Sequence, residues 1–279
     1  MKKLFSLLLT TLFFSLSLSA QEKVLKVLAI GNSFSEDGIE NYLYDLAKAD
    51  GQQVIIGNMY IGGAPIELHV KNAKEDKATY SYRKVGLDGK KVTTKDVSIS
   101  QAIADEEWDY ISLQQASPFS GQYDVIMKDL PELISYVKSL KKPQTKLVYH
   151  QTWAYQHDSN HSGFANYDNS QAKMYAGIVD ASKKISKMKD FSMVIPAGTA
   201  IQNARTSSVG DHYTRDGYHL ELNYGRFTAA CTWYEKLFGK DVRKNSYKPE
   251  KVTQQQAEIA KQAAHKSIKK PFKISKVNL

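Results

Sequence analysis

The chain has 279 residues, a net charge of +9, one cysteine and seventeen tyrosines. A single cysteine excludes an internal disulfide framework. The basic residues are dispersed as lysine pairs among acids, as in Lys141-Lys142, Lys183-Lys184 and Lys269-Lys270, so they read as solvated faces and no nucleic-acid partner is expected.

Residues 1–20 read as a targeting leader. Lys2 and Lys3 precede an uncharged, mostly apolar run over 4–18, and Ser19-Ala20 suits cleavage before Gln21. The run is too short for a membrane span, so a periplasmic or secreted protein without stable membrane insertion is expected. The roughly 260 remaining residues form one domain over 21–279, large enough to bury a core without staples.

Strand-like and helix-like segments then alternate. Residues 25–30 are a short apolar run ending at Gly31, followed by a helical pattern through Ile39, Tyr42, Leu43, Leu46 and Ala47 that Gly51 closes. Further strands are expected over 53–57, 108–114, 145–150 and 191–196. Helices are expected over 125–140, 171–188 and 223–238, with one more after Pro249. Cys231 falls in the apolar part of the 223–238 helix and reads as core. This βαβ alternation predicts a parallel sheet of five strands with helices on both faces, and such sheets gather their sites at the carboxyl ends of the strands. Residues 79–98 break the rhythm: Asp88-Gly89 between two β-prone runs predicts a hairpin insertion, read either as one wall of a cleft or as a surface flap.

Two distant segments carry chemistry. Gly31-Asn32-Ser33-Phe34-Ser35 places a hydroxyl just beyond a buried strand, where the next helix offers free N–H groups that can hold an oxyanion. Asp216 and His219 are spaced so that one turn can present both: the carboxylate accepts from Nδ1–H and leaves Nε2 to take the serine proton. Ser33, His219 and Asp216 are therefore the expected nucleophile, base and orienter. In His157-Asp158-Ser159-Asn160-His161 the polar and glycine neighbours favour a loop at the cleft border over a metal site, and Trp153 is read as a buried aromatic or a sugar-stacking platform.

In motif order these blocks resemble the SGNH (GDSL-like) hydrolases, in particular exported bacterial carbohydrate esterases. The resemblance implies a three-layer α/β/α sandwich with a five-stranded parallel flavodoxin-like sheet. It aligns Gly31-Asn32-Ser33 with the nucleophile block, and it places the oxyanion glycine in Asn58-Met59-Tyr60-Ile61-Gly62-Gly63, at Gly63. The third block departs from the pattern: where the superfamily carries an oxyanion asparagine, this chain reads Leu113-Gln114-Gln115-Ala116-Ser117-Pro118. A glutamine amide can replace an asparagine amide as donor, so Gln114 is assigned to the oxyanion hole with Ser33 and Gly63, and Gln115 is its alternate. The implied activity is hydrolysis of esters, O-acetyl groups on carbohydrate first, through an acyl-serine intermediate, with no metal or organic cofactor. The alternatives are a lipid or small-ester esterase and a non-catalytic glycan-binding protein on the same scaffold.

Overall fold

Strand β1 (Leu25–Gly31) is buried from Val27 onward, as expected of a central parallel strand covered on both faces. The computed structural model describes residues 23–279, so the leader assigned to residues 1–20 lies outside the described residues. After β1 the chain forms α1 (Ser33–Ile39), α2 (Leu43–Ala49), β2 (Val54–Tyr60) and α3 (Ile66–Lys74). A hairpin of β3 (Tyr80–Val85) and β4 (Lys91–Val97) comes next, then α4 (Ile99–Asp105), β5 (Tyr110–Leu113), α5 (Tyr123–Leu140) and β6 (Lys146–His150). The chain closes with α6 (Gln171–Ile185), β7 (Phe191–Ile195), α7 (Ala197–Ala204), α8 (Tyr224–Phe238) and α9 (Gln254–Lys269).

The sheet has seven strands in the order β4-β3-β2-β1-β5-β6-β7. β2, β1, β5, β6 and β7 are mutually parallel, and these are the five expected strands. The hairpin does not stand apart: β3 pairs antiparallel with β2, and β4 with β3, so it extends one edge of the sheet. Alternate residues of β1 feed opposite cores. Leu28 and Ile30 pack toward α3, α4 and α5, while Val27 and Ala29 pack toward α1, α2, α8 and α9. This is the α/β/α layering. A third apolar cluster, built on Phe34, Trp153, Tyr155 and Phe164, lies beyond the carboxyl ends of the strands. From β1 the chain moves to β2 on one side and later to β5 on the other, so the topological switch point falls at β1, where such sheets place their sites.

One helical pattern over 39–47 was expected, and two helices form. α1 starts earlier, at Ser33, and the chain breaks before α2, where Tyr42 adopts a left-handed φ of 62°. Asn41 Nδ2 donates to Glu36 O at 3.1 Å and fills the first helix's C-terminal carbonyl need. Among the described residues no helix is long and apolar enough to cross a membrane.

The exit from β6 is held by contact with α7. Gly198 N–H donates to Gln151 O at 2.9 Å, and a Cβ on Gly198 would lie 2.0 Å from Thr152 O. Thr152 O is a backbone atom and the backbone alone fixes where a Cβ lies, so no rotamer change relieves the clash. Gly198→Ala is expected to destabilise the fold by about 3 kcal/mol, read as a lowered denaturant midpoint at unchanged slope.

Candidate active site

Asn32 ends β1 and caps α1: its Oδ1 accepts from Phe34 N–H at 2.9 Å while its Nδ2 donates to Ala64 O at 3.0 Å. These two backbone partners fix which end of the amide is oxygen. Ser33, the first residue of α1, is thereby set at the head of the helix. Its N–H makes no bond among the described residues. Ser35 is turned inward, with Oγ 2.7 Å from Asn32 O and 2.9 Å from Asn58 Oδ1, so it anchors the helix.

The second half of the site is the tip of a small hairpin closed by the Thr214–Leu220 bridge and by Arg215 N–H donating to His219 O at 2.9 Å. Gly217 has φ +88°, and a side chain there would also crowd Ser159, whose Oγ would lie 2.9 Å from its Cβ. The tip therefore needs glycine. Asp216 grips His219 from two directions: Oδ1 accepts the His219 backbone N–H at 2.7 Å, and Oδ2 takes the ring Nδ1 at 2.6 Å. His219 Nε2 then stands 2.8 Å from Ser33 Oγ, across 186 residues of sequence. Burial pushes the Asp216 carboxyl up, but the bonds from the His219 ring and from the His219 and Tyr218 N–H groups outweigh it and hold the carboxyl below its ordinary value of 3.8. By linkage these bonds stabilise the fold above about pH 4, and that contribution is lost as pH falls through the lowered pKa.

The two halves are tied by Asp37 on α1, which is fully buried. Its Oδ2 accepts Leu220 N–H at 2.8 Å and Arg215 Nη1 at 3.0 Å, and its Oδ1 accepts Arg226 Nε at 2.7 Å. Trp153, also fully buried, stacks on Phe34 at 4.4 Å and donates from Nε1 to Tyr218 O at 2.8 Å. It therefore supports the hairpin tip from below and is no sugar platform.

A cavity of about 340 Å³ opens over Ser33 and His219, bordered by Tyr60, Gly63, Pro118 and Tyr218 among others. Gly63, with φ +67°, has open space on its Cβ side, and its N–H has no partner among the described residues. Gln114 does not reach the cavity wall. Its Nε2 donates to Asn32 Oδ1 at 2.9 Å, and its Oε1 faces His150 Nδ1 at 2.7 Å. Gln115 is differently held: Oε1 accepts from Ile66 N–H at 3.0 Å and Ala116 N–H at 2.8 Å. Its Nε2 makes no bond among the described residues and is not fully enclosed.

Of the histidines at the cleft border, His161 lines the cavity, while His157 turns away to Asp211 Oδ2 at 2.8 Å. Among the described residues, Glu235, Asp241 and His265 offer metal-type ligands within 4.8 Å of one another, but Arg243 already holds Asp241 through Nε at 2.9 Å. The hairpin over 79–98 borders the site through Tyr60: Ser81 pairs with it across the β2–β3 ladder, and the Arg83 guanidinium lies 3.6 Å from the centre of its ring. The loop at the cleft border was expected from sequence, whereas the Asp37 clamp and the Gln114–His150 bond were missed. Each depends on a partner far along the chain, and no local pattern marks it.

The fold is SGNH-like, and a serine, a histidine and a carboxylate meet at the carboxyl end of its first strand. The chain belongs to the DUF4886 family, a domain of unknown function, which it matches over residues 26–267. A DUF4886 family protein from Bacteroides uniformis, known from its crystal structure, is 51% identical, and the match covers 91% of this chain and 98% of that one with a TM-score of 0.90. A candidate SGNH hydrolase from Slackia heliotrinireducens is 20% identical, covering 76% of this chain and 98% of its own with a TM-score of 0.51. That likeness is one of fold. No curated protein matches the chain.

Removing the Asp37 carboxylate leaves Leu220 N–H and two guanidinium groups without their acceptor. Asp37→Ala is expected to lower stability by about 3 kcal/mol and to loosen the 214–220 hairpin. Unfolding curves and faster amide hydrogen exchange at Leu220 check both.

Proposed function

We propose that this protein is an exported serine esterase that removes short acyl groups, acetyl first, from carbohydrate. The observation that carries the reading is the Ser33–His219–Asp216 relay, with its 2.8 Å and 2.6 Å contacts, facing a cavity beside two unengaged backbone N–H groups. His219 Nε2 takes the Ser33 proton as Oγ attacks the ester carbonyl. Asp216 holds the ring in the tautomer that leaves Nε2 free and steadies the imidazolium that forms. The developing oxyanion is received by Ser33 N–H and Gly63 N–H, and His219 returns its proton to the leaving alcohol. Water then attacks the acyl-serine by the same route.

For the third oxyanion donor the bonding pattern favours Gln115 over Gln114. The Gln115 amide is oriented by two backbone donors to its oxygen, its N–H₂ makes no bond among the described residues, and its neighbour Ala116 lines the cavity. This pattern supports the esterase reading over a purely glycan-binding role despite the altered third block. The small cavity volume supports a short acyl group, near the lower end of typical ligand pockets. The leader over residues 1–20 and the tyrosines at the rim support an extracytoplasmic carbohydrate substrate.

Hydrolysis of p-nitrophenyl acetate, and acetate release from a panel of acetylated glycans and lipid esters, test the reading. Ser33→Ala is expected to lower kcat by about 10⁴-fold or more with little change in Tm, and retained turnover would remove the serine mechanism. Gln115→Ala is expected to lower kcat by about 10²-fold while Gln114→Ala acts mainly on stability. The reverse pattern would return the donor role to Gln114.

A further inference from the structure

The cavity contains a second imidazole that acyl transfer leaves unused. His161 lies on the loop after β6 and caps the short 3-10 helix Ser162–Tyr167, its Nδ1 accepting Gly163 N–H at 3.0 Å. A ring nitrogen that accepts a hydrogen bond carries no proton, so in the neutral ring the proton sits on Nε2. Burial, with a smaller contribution from nearby His219, lowers the pKa of His161, which keeps the ring neutral at neutral pH. Nε2 makes no bond among the described residues and is not fully enclosed. The ring is also fixed in place, with its centre 4.9 Å from that of Tyr155 and 4.6 Å from that of Tyr218. His161 thus presents an oriented, unpartnered N–H on the wall of the reactive cavity.

Its position selects which part of a substrate it meets. The Tyr218 ring packs against both His161, 4.6 Å away, and His219, 4.2 Å away. Gly63 reaches the cavity from the loop between β2 and α3. The base that delivers a proton to the leaving oxygen must stand on the leaving-group side of the carbonyl, and Tyr218, in contact with both imidazoles, sets His161 next to that base.

We propose that His161 is a specificity-determining residue that donates a hydrogen bond from Nε2 to a hydroxyl or ring oxygen of the alcohol half of the ester. The substrate class that uses this donor is an acylated polyol such as a sugar, as opposed to an aryl or simple alkyl ester. The assignment rests on the esterase reading for its reaction, but the contact itself is a binding interaction and is measurable without turnover.

His161→Phe keeps an aromatic ring between the two tyrosines and removes the N–H, and His161→Gln keeps a donor. With an O-acetylated methyl glycoside bearing free hydroxyls, kcat/KM is expected to fall in His161→Phe about tenfold further than with p-nitrophenyl acetate, and His161→Gln is expected to recover part of the difference. Equal losses on both esters, or none on the glycoside, overturn the proposal. If the wild-type protein cleaves neither ester, the esterase reading fails on its own account. Calorimetric binding of the same glycoside to Ser33→Ala protein, with and without His161→Phe, then decides: binding weakened about tenfold supports the contact, and equal binding, or none in either protein, overturns it.

Discussion

The carboxylate of Asp37 is the constraint on which the site depends. It is fully buried on α1, and its partners Leu220, Arg215 and Arg226 all come from the far end of the chain. A buried carboxylate without partners is costly, and a guanidinium left beside an empty acceptor is little better. Either half of the molecule packed alone would carry that penalty. Docking the 214–220 hairpin on α1 removes it for both, and the same docking brings His219 to Ser33. Such a clamp contributes little net stability against a well-packed apolar alternative. Its effect is to make one relative placement of helix and hairpin far better than its neighbours.

A second polar line runs beneath Ser33. The backbone groups Phe34 N–H and Ala64 C=O orient the Asn32 amide, Asn32 Oδ1 orients Gln114, and Gln114 Oε1 orients His150. Burial pulls the His150 pKa down to about 3, so the ring is neutral and its one proton lies on Nδ1, facing Gln114. Every donor in the line has one available acceptor, and reversing either amide would set like against like. The line crosses from β1 to β5 to β6, three adjacent strand ends. The head of α1 is therefore fixed against the sheet and not merely against its own first turn.

These two polar systems explain what could be read from the chain alone. The five parallel strands were legible because each is a short apolar run, and burial on both faces of the sheet demands such runs. Asp216 and His219 were legible because three-residue spacing is a local property, as is the Asp88-Gly89 turn. The edge pairing of β3 with β2 was not: the hairpin pattern fixes the turn but leaves open what the outer strands pair with. The break between α1 and α2 was hidden because Ile39 and Leu43 continue one apolar stripe, and only the left-handed φ at Tyr42 interrupts it. Gln114 and Gln115 are adjacent and chemically identical, so the different ways they are held rest on partners at Asn32, Ile66 and His150 that no spacing rule reaches.

The exposure of the relay bears on how it can work. The Asp216 side chain is 37% exposed and that of His219 18%, so water and salt screen the charge between them and their Coulomb attraction is modest. What Asp216 supplies is chiefly geometry. One oxygen holds the backbone of His219 and the other holds its ring, so the imidazole can neither swing nor exchange tautomers without breaking the turn that carries it. The turn is itself pinned by Trp153 Nε1 on Tyr218 O and by Asp37 on Leu220 N–H. Orientation in this site is thus set by neutral and charge-assisted hydrogen bonds to backbone, which screening weakens less than a bare ion pair. Three partly exposed side chains can then remain aligned beside an open cavity.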